Sequence, residues 1–239
     1  MIRNDFKLDY TQAGWVISAF NLSYGLGQLP GGWLADRIGP RIIMTIGICG
    51  LGAAGLGVGF SQSFGMMIFF LVLMGVLGGG YHPAAPPMIS ASVKLKDQGR
   101  ALGLHMIGGS ASFFLAPLIA TAISSVWNWR GSFISLAVMA ILFGGFFYTV
   151  LTRREMRQAA QSMAIQGDPS GEPHPFPLRT LVSFIFLTTF LNAVITSSIS
   201  FIPLLLVDHF NYSKETAGAL FALIYSAGLW VSPLGGYLS

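Results

Sequence analysis

Seven stretches of this chain are too long and too apolar to lie inside a water-soluble domain. They run roughly over 12–32, 42–60, 64–90, 101–126, 131–151, 180–207 and 215–239. Each reaches the ~20 residues needed to cross a hydrocarbon layer ~30 Å thick at 1.5 Å per residue. Lipid offers no partner for a bare N–H or C=O, and the runs lack the strict alternation of a membrane barrel strand, so helices are the expected element. Hydrophobic residues make up 53% of the chain and charged residues 9%, against about 25% in a soluble domain. Mean hydropathy is +0.66. The fold class is therefore all-α: a polytopic transmembrane helical bundle.

A second feature divides that bundle. At an offset of 204 positions, Gly31 and Gly32 are matched by Gly235 and Gly236, Trp33 by Tyr237, Leu34 by Leu238 and Ala35 by Ser239. The same register aligns Phe6 with Phe210, Ala13 with Ala217 and Gly14 with Gly218. Two pseudo-symmetric copies of one membrane unit explain it, the second truncated. With six helices per unit, the chain is expected to lack the first helix of the first copy and the last four of the second. Residues 1–151 then form an N-terminal bundle of five spans, 152–179 a linker, and 180–239 the first two spans of a C-terminal bundle. The linker includes Gly167-Asp168-Pro169-Ser170-Gly171-Glu172-Pro173, a density of Pro and Gly that resists regular structure, and Arg153 to Ala164 before it is a candidate amphipathic helix on the membrane surface.

The net charge of +4 does not point to nucleic acid, because its distribution follows the spans. Nine of the thirteen basic residues, Arg37, Arg41, Lys94, Lys96, Arg100, Arg153, Arg154, Arg157 and Arg179, fall on one side if the spans alternate. The positive-inside rule makes that side cytoplasmic, so residues 33–41, 91–100 and 152–179 face the cytoplasm and the N-terminus lies outside a cell (inner or plasma) membrane. The single cysteine, Cys49, sits within a span and reads as a small buried hydrophobe. Glycines recur four apart at Gly27 and Gly31, Gly55 and Gly59, Gly75 and Gly79, and Gly99 and Gly103, a spacing that lets helix backbones approach closely.

After the first span the chain reads Gly32-Trp33-Leu34-Ala35-Asp36-Arg37-Ile38-Gly39-Pro40-Arg41. Gly31 and Gly32 are expected to end the helix, Asp36 to offer a short acceptor to a nearby helix terminus, and Arg37 and Arg41 to pair with it or with lipid headgroups. This phrase resembles the Gly-x-Leu-x-Asp-Arg-x-Gly signature of the major facilitator superfamily of transporters, departing from it in placing Pro40 where a basic residue is usual. The resemblance implies a conformational switch at Gly32, Asp36, Arg37, Gly39 and Arg41, a latch for the cytoplasmic ends when the cavity opens outward. The alternative is that Arg37 and Arg41 only set topology and Asp36 only caps a turn. Gly78-Gly79-Gly80-Tyr81-His82-Pro83 with Gly99-Arg100 to Ser110 is similar to the fosmidomycin-resistance-like efflux branch, and Ser112-x-x-x-Ala116-Pro117 to a pattern of antiporters.

Pro83, Pro86 and Pro87 remove backbone donors, so the helix should kink or end near His82. His82 and His105 are then the candidate proton site; the competing role for His82 is to satisfy carbonyls at the broken helix. Polar faces recur at Asn21, Tyr24 and Gln28 and at Thr188, Asn192, Thr196 and Ser200. Together with Tyr225 these supply the candidate cavity lining, Asn21, Tyr24, Gln28, Asn192, Thr196 and Tyr225, with helix-to-helix hydrogen bonding the alternative. The expected activity is secondary active transport of a small molecule by alternating access, with proton-coupled efflux as one form of it and lipid as the surrounding partner. No cofactor, catalytic residue or metal ligand set is called for. The rivals are an inactive truncated product, a seven-helix receptor and an intramembrane enzyme built on His82, His105 and Ser110.

Overall fold

A computed structural model of the chain describes residues 2–162, 178–224 and 226. A short helix α1 (Ile2–Asp5) leads into α2 (Tyr10–Ile38), followed by α3 (Pro40–Gly59), α4 (Phe64–Gly78), α5 (Tyr81–Ala91), a 3-10 turn (Leu95–Asp97), α6 (Gln98–Ser162) and α7 (Leu178–Asp208). A helix α8 covers residues 214–224. No strand occurs among the described residues.

Local chemistry sets the boundaries. Asp9 starts α2 with a reciprocal cap: its carboxylate accepts from the Gln12 N–H at 2.7 Å, and its own N–H donates to Gln12 Oε1 at 3.1 Å. The helix then runs through Gly31 and Gly32, which were expected to end it, and stops at Gly39, with φ +95° and ψ 142°. That conformation belongs to glycine, and Pro40 follows at the first position of α3, where its missing donor has no cost. The phrase around Asp36 is thus helix on both sides of one residue, and Pro40 is a helix starter.

Four stretches among the described residues are long and apolar enough to cross a membrane: Pro40–Gly59, Phe64–Ala91, Leu95–Thr152 and Thr189–Asp208. The third folds back on itself at Asn128, whose φ of 64° and ψ of −178° divide α6 into a first and a second arm. Its side chain caps the return by accepting from the Arg130 N–H at 2.8 Å. α2 has the length of these helices with a more polar face. The backbone of the second arm stays helical to Ser162, while residues 163–177 lie outside the described residues.

The centre of the bundle is a set of close glycine crossings. α2 and α4 run parallel, and a methyl placed on Gly27 would lie 2.8 Å from the Val76 carbonyl, one on Gly31 2.5 Å from Gly80 Cα, and one on Gly79 2.7 Å from the Tyr24 carbonyl. α3 runs antiparallel between α4 and the second arm of α6, with Gly50 against Leu77 on one side and Gly52, Gly55 and Gly59 against Ala137, Ile141 and Ile134 on the other. Apolar clusters close the two ends: Leu8, Val58, Met67, Leu71 and Trp129 at one, Ala35, Ile43, Met44, Ala84 and Ala85 at the other. Without a hydrophobic force between helices in lipid, such backbone-to-backbone packing is what holds the group together.

The proline-rich segment breaks one turn earlier than His82. α4 ends at Gly78, Gly79 and Gly80 bridge in near-helical geometry, and α5 restarts at Tyr81. A proline ring clashes with the carbonyl four residues before it, so Pro83 displaces the strain onto Gly79, beside a second glycine able to absorb it. His82 therefore stands in the first turn of the restarted helix.

Candidate functional site

At the Asp36 end, the motif residues are close in sequence and do not pair with one another. Asp36 is exposed and takes part in no ion pair or hydrogen bond among the described residues. Arg37 stacks 4.0 Å above the Trp33 ring, and Arg41 lies 5.2 Å from the Tyr148 ring of the second arm of α6. Both cations are thus held by aromatic faces, an arrangement that fixes the guanidinium without consuming Asp36. Gly32 meets Pro83 at the restarted helix. The motif is therefore packed against α5, and its acid is available.

Midway along α2 the structure brings together four side chains from three helices. The Tyr24 ring meets His82 edge-on with centroids 5.8 Å apart, Tyr81 meets His82 at 5.9 Å, and Tyr81 meets His105 of the first arm of α6 at 6.1 Å. His82 is exposed, and the other three are half-buried. Tyr81 stands between the two histidines, a role that the sequence reading did not give it; an aromatic inside an apolar span carries no signal separating packing from a site. Asn21 and Gln28 continue the same face of α2, exposed and half-buried respectively.

Asn192 and Thr196 lie exposed on α7. Their depth follows from a contact between α7 and α2 in the span, Phe201 facing Gly14. The helices run in opposite directions, so Asn192 is ~13.5 Å from that contact and Tyr24 ~15 Å, both toward the Asp36 end. Asn192 and Tyr24 thus share a level near the middle of the span. Tyr225 lies outside the described residues, as does the repeated phrase at 235–239; the side chain of Thr188 is likewise not described.

The opposite end carries a constellation absent from the sequence reading. Asp208, the last residue of α7, accepts hydrogen bonds from the Arg3 guanidinium and, at 2.8 Å, from the Tyr10 hydroxyl. Arg3 also lies 4.4 Å above the Tyr10 ring, and its hydrogen bond to Asp208 raises the guanidinium above its ordinary pKa. Beside this group Tyr10, Phe201, Leu204, Leu205, Asp208 and His209 line a crevice of about 350 Å³. A neighbouring tie involves only residues before 163: Arg130 donates to Asp5 at 3.1 Å and to the Ser61 carbonyl at 2.7 Å, and the Trp129 indole donates to Asp5 at 3.1 Å. Arg3 and Asp208 are 205 positions apart. Opposite charges assigned to one side of the membrane were the available signal, too general to pick this pair.

A further contact joins the two parts of the chain at equivalent positions of the repeat. Gly14 faces Phe201 of α7, and its counterpart Gly218 packs against Thr121 of the first arm of α6, with Ala217 beside it fully enclosed. At each of these two positions, 204 apart in sequence, a small residue admits a neighbouring helix.

Comparison with known proteins agrees with this architecture. The family model described as Major Facilitator Superfamily matches residues 1–239. The chain is 24% identical to the "Probable L-galactonate transporter" of Escherichia coli (strain K12), over 100% of the chain and 55% of that protein. It is 26% identical to the "Probable sulfoacetate transporter SauU" of Cupriavidus necator, over 100% of the chain and 58% of that protein. It is also 26% identical to "Multidrug resistance protein MdtG" of Proteus mirabilis, over 92% of the chain and 53% of that protein. The chain thus spans about half the length of the curated relatives it matches.

Proposed function

Because the chain belongs to the major facilitator superfamily and is a multi-pass membrane protein, we propose that the whole protein carries a small molecule across the membrane by alternating access. The observation that carries this reading is the opposite condition of the two ends of α2. At its start Arg3 and Tyr10 are joined to Asp208 of α7, while near its finish Asp36 is exposed and unengaged. A carrier with two states needs contacts that exist in one and not in the other, and a helix ~43 Å long with a closed clasp at one end and a free acid at the other supplies a pair of them.

The basic residues gathered at the Asp36 end support a cytoplasmic position for it, so the arrangement reads as inward-open, in a bacterial inner membrane with the N-terminus outside. Asp36 engages its partner in the outward-open state, and Arg37 and Arg41 keep their aromatic seats in both. The cavity is lined by Asn21, Tyr24 and Gln28 facing Asn192, Thr196 and Tyr225. His82 and His105 are the groups through which protons couple to transport. Two relatives, one named a probable L-galactonate transporter and the other a probable sulfoacetate transporter, support a small organic acid as the substrate class. Efflux in exchange for protons is the direction that the antiporter-like Ser112-x-x-x-Ala116-Pro117 supports.

The test uses the full-length protein with Cys49→Ser and a single Leu204→Cys in the crevice beside the clasp. Asp208→Asn should raise labelling of that cysteine by an impermeant reagent applied from outside, and Asp36→Asn should lower it. Labelling unchanged by both substitutions sinks the two-state reading.

A further inference from the structure

Tyr24, Tyr81, His82 and His105 have unspent hydrogen-bonding capacity. None of their hydroxyl or ring nitrogen groups takes part in a hydrogen bond among the described residues, although three of the four side chains are half-buried. None of these hydroxyl or ring nitrogen groups is fully enclosed, so each is open to a partner that approaches from outside the described residues. The rings form one continuous run from α2 through α5 to α6, Tyr24 to His82 to Tyr81 to His105, each 5.8–6.1 Å from the next.

We propose that these four side chains form the binding site for the carboxylate of a small organic acid, with the two imidazoles supplying the positive charge. This rests on the transport reading above and names the side chains that would hold the acid's carboxylate.

Three observations carry it. Among the described residues, the charged side chains of the packed helices sit at their ends, Asp36 and Arg37 on α2, Arg100 and Arg130 on the two arms of α6, and the imidazoles are the groups at this level that can take up positive charge. The charge they can take is positive, which attracts an anion and repels a cation. The titratable groups facing them are Tyr24 from α2, Tyr81 from α5 and each other; on α3, Arg41 is seated over Tyr148 and the Cys49 thiol points to the Ile141 carbonyl, both toward the second arm of α6. Finally, the platform is rigid. Gly79 and Gly80 lie in backbone contact with α2, and Pro83 and Pro86 fix the first turns of α5, so the donors are positioned before a ligand arrives. Protonation of either imidazole converts a neutral hydrogen bond to the carboxylate into a charge-assisted one, so binding tightens as the medium is acidified.

The experiment measures equilibrium binding of labelled D-gluconate to the full-length protein in detergent, with D-glucitol, the same carbon chain without the carboxylate, as competitor. Saturable gluconate binding that strengthens on acidification and is untouched by glucitol is the expected result. Tyr81→Phe keeps the ring and the fold yet should weaken binding about tenfold, as should His105→Gln, which also flattens the pH profile; tenfold is about 1.4 kcal/mol, the lower edge for a hydrogen bond to a charged group. Equal competition by glucitol, wild-type affinity in both variants, or no gluconate binding to the parent protein in acid overturns the carboxylate assignment. The cysteine-labelling test at Leu204 decides alternation separately, so either idea can fail without the other.

Discussion

Gly31→Ala should separate α2 from the start of α5 although it adds one methyl group. The new carbon would lie 2.5 Å from Gly80 Cα and 3.1 Å from Gly80 N, and both are backbone atoms that no side-chain rotation can move. Ordinary carbon contacts fall near 3.5–4.0 Å, so the helices must part by about 1 Å at the crossing. The same seam brings Gly27 against Val76 and Gly79 against Tyr24, so parting at one point loosens contacts along about two turns. Overpacking of this kind costs about 1–3 kcal/mol, against a gain of up to about 1 kcal/mol that alanine brings to a helix. The control is Gly25→Ala on the same helix, where an added methyl meets nothing within 4 Å. Thermal unfolding followed with a thiol-reactive fluorophore, which reads the exposure of half-buried Cys49, should show a lowered midpoint for Gly31→Ala and an unchanged or raised one for Gly25→Ala. Equal midpoints for the two variants would refute the close crossing.

Gly39→Ala forces a side chain onto a backbone at φ +95° and should destabilise the protein by about 1–3 kcal/mol in the same assay, while Gly145→Ala, in open space, should not. Asp36→Asn in the complete protein should leave abundance intact, slow transport and favour inward-open conformers; transport at the parent rate would reduce Asp36 to a topology or capping residue. Single cysteines at Ser162 or Ser170 in a Cys49→Ser background should resist an impermeant thiol reagent in intact cells while one at Asn211 reacts, and the reverse pattern would invert the orientation.

The spans were legible because crossing lipid imposes a length and a hydropathy that no packing detail can hide. Local glycine chemistry misled at one place and then explained another. Gly31 and Gly32 look like a helix end by propensity, yet the close approach of Gly80 and Pro83 outweighs that preference and the helix continues to Ile38. Gly39, which does end it, is distinguished only by its backbone angles and by the proline that follows. Pro83 announced a break, and the two glycines before it decided where it falls. The histidines were singled out from sequence as rare titratable groups in apolar spans; their link through Tyr81 required the packing of α5 on α6. Arg3, Tyr10 and Asp208 were visible only as polar residues at span ends, since a pairing across 205 positions leaves no local pattern.

The central claim is that the Asp208 end must open during each transport cycle. Cysteines replacing Gly14 and Phe201, which face each other outside the clasp, in a Cys49→Ser background, joined by a short reducible bis-thiol linker in the full-length protein, test it directly. Linked protein should lose transport and regain it on reduction, with unlinked double-cysteine protein active throughout. Transport at full rate with the linker in place would contradict alternating access through this end.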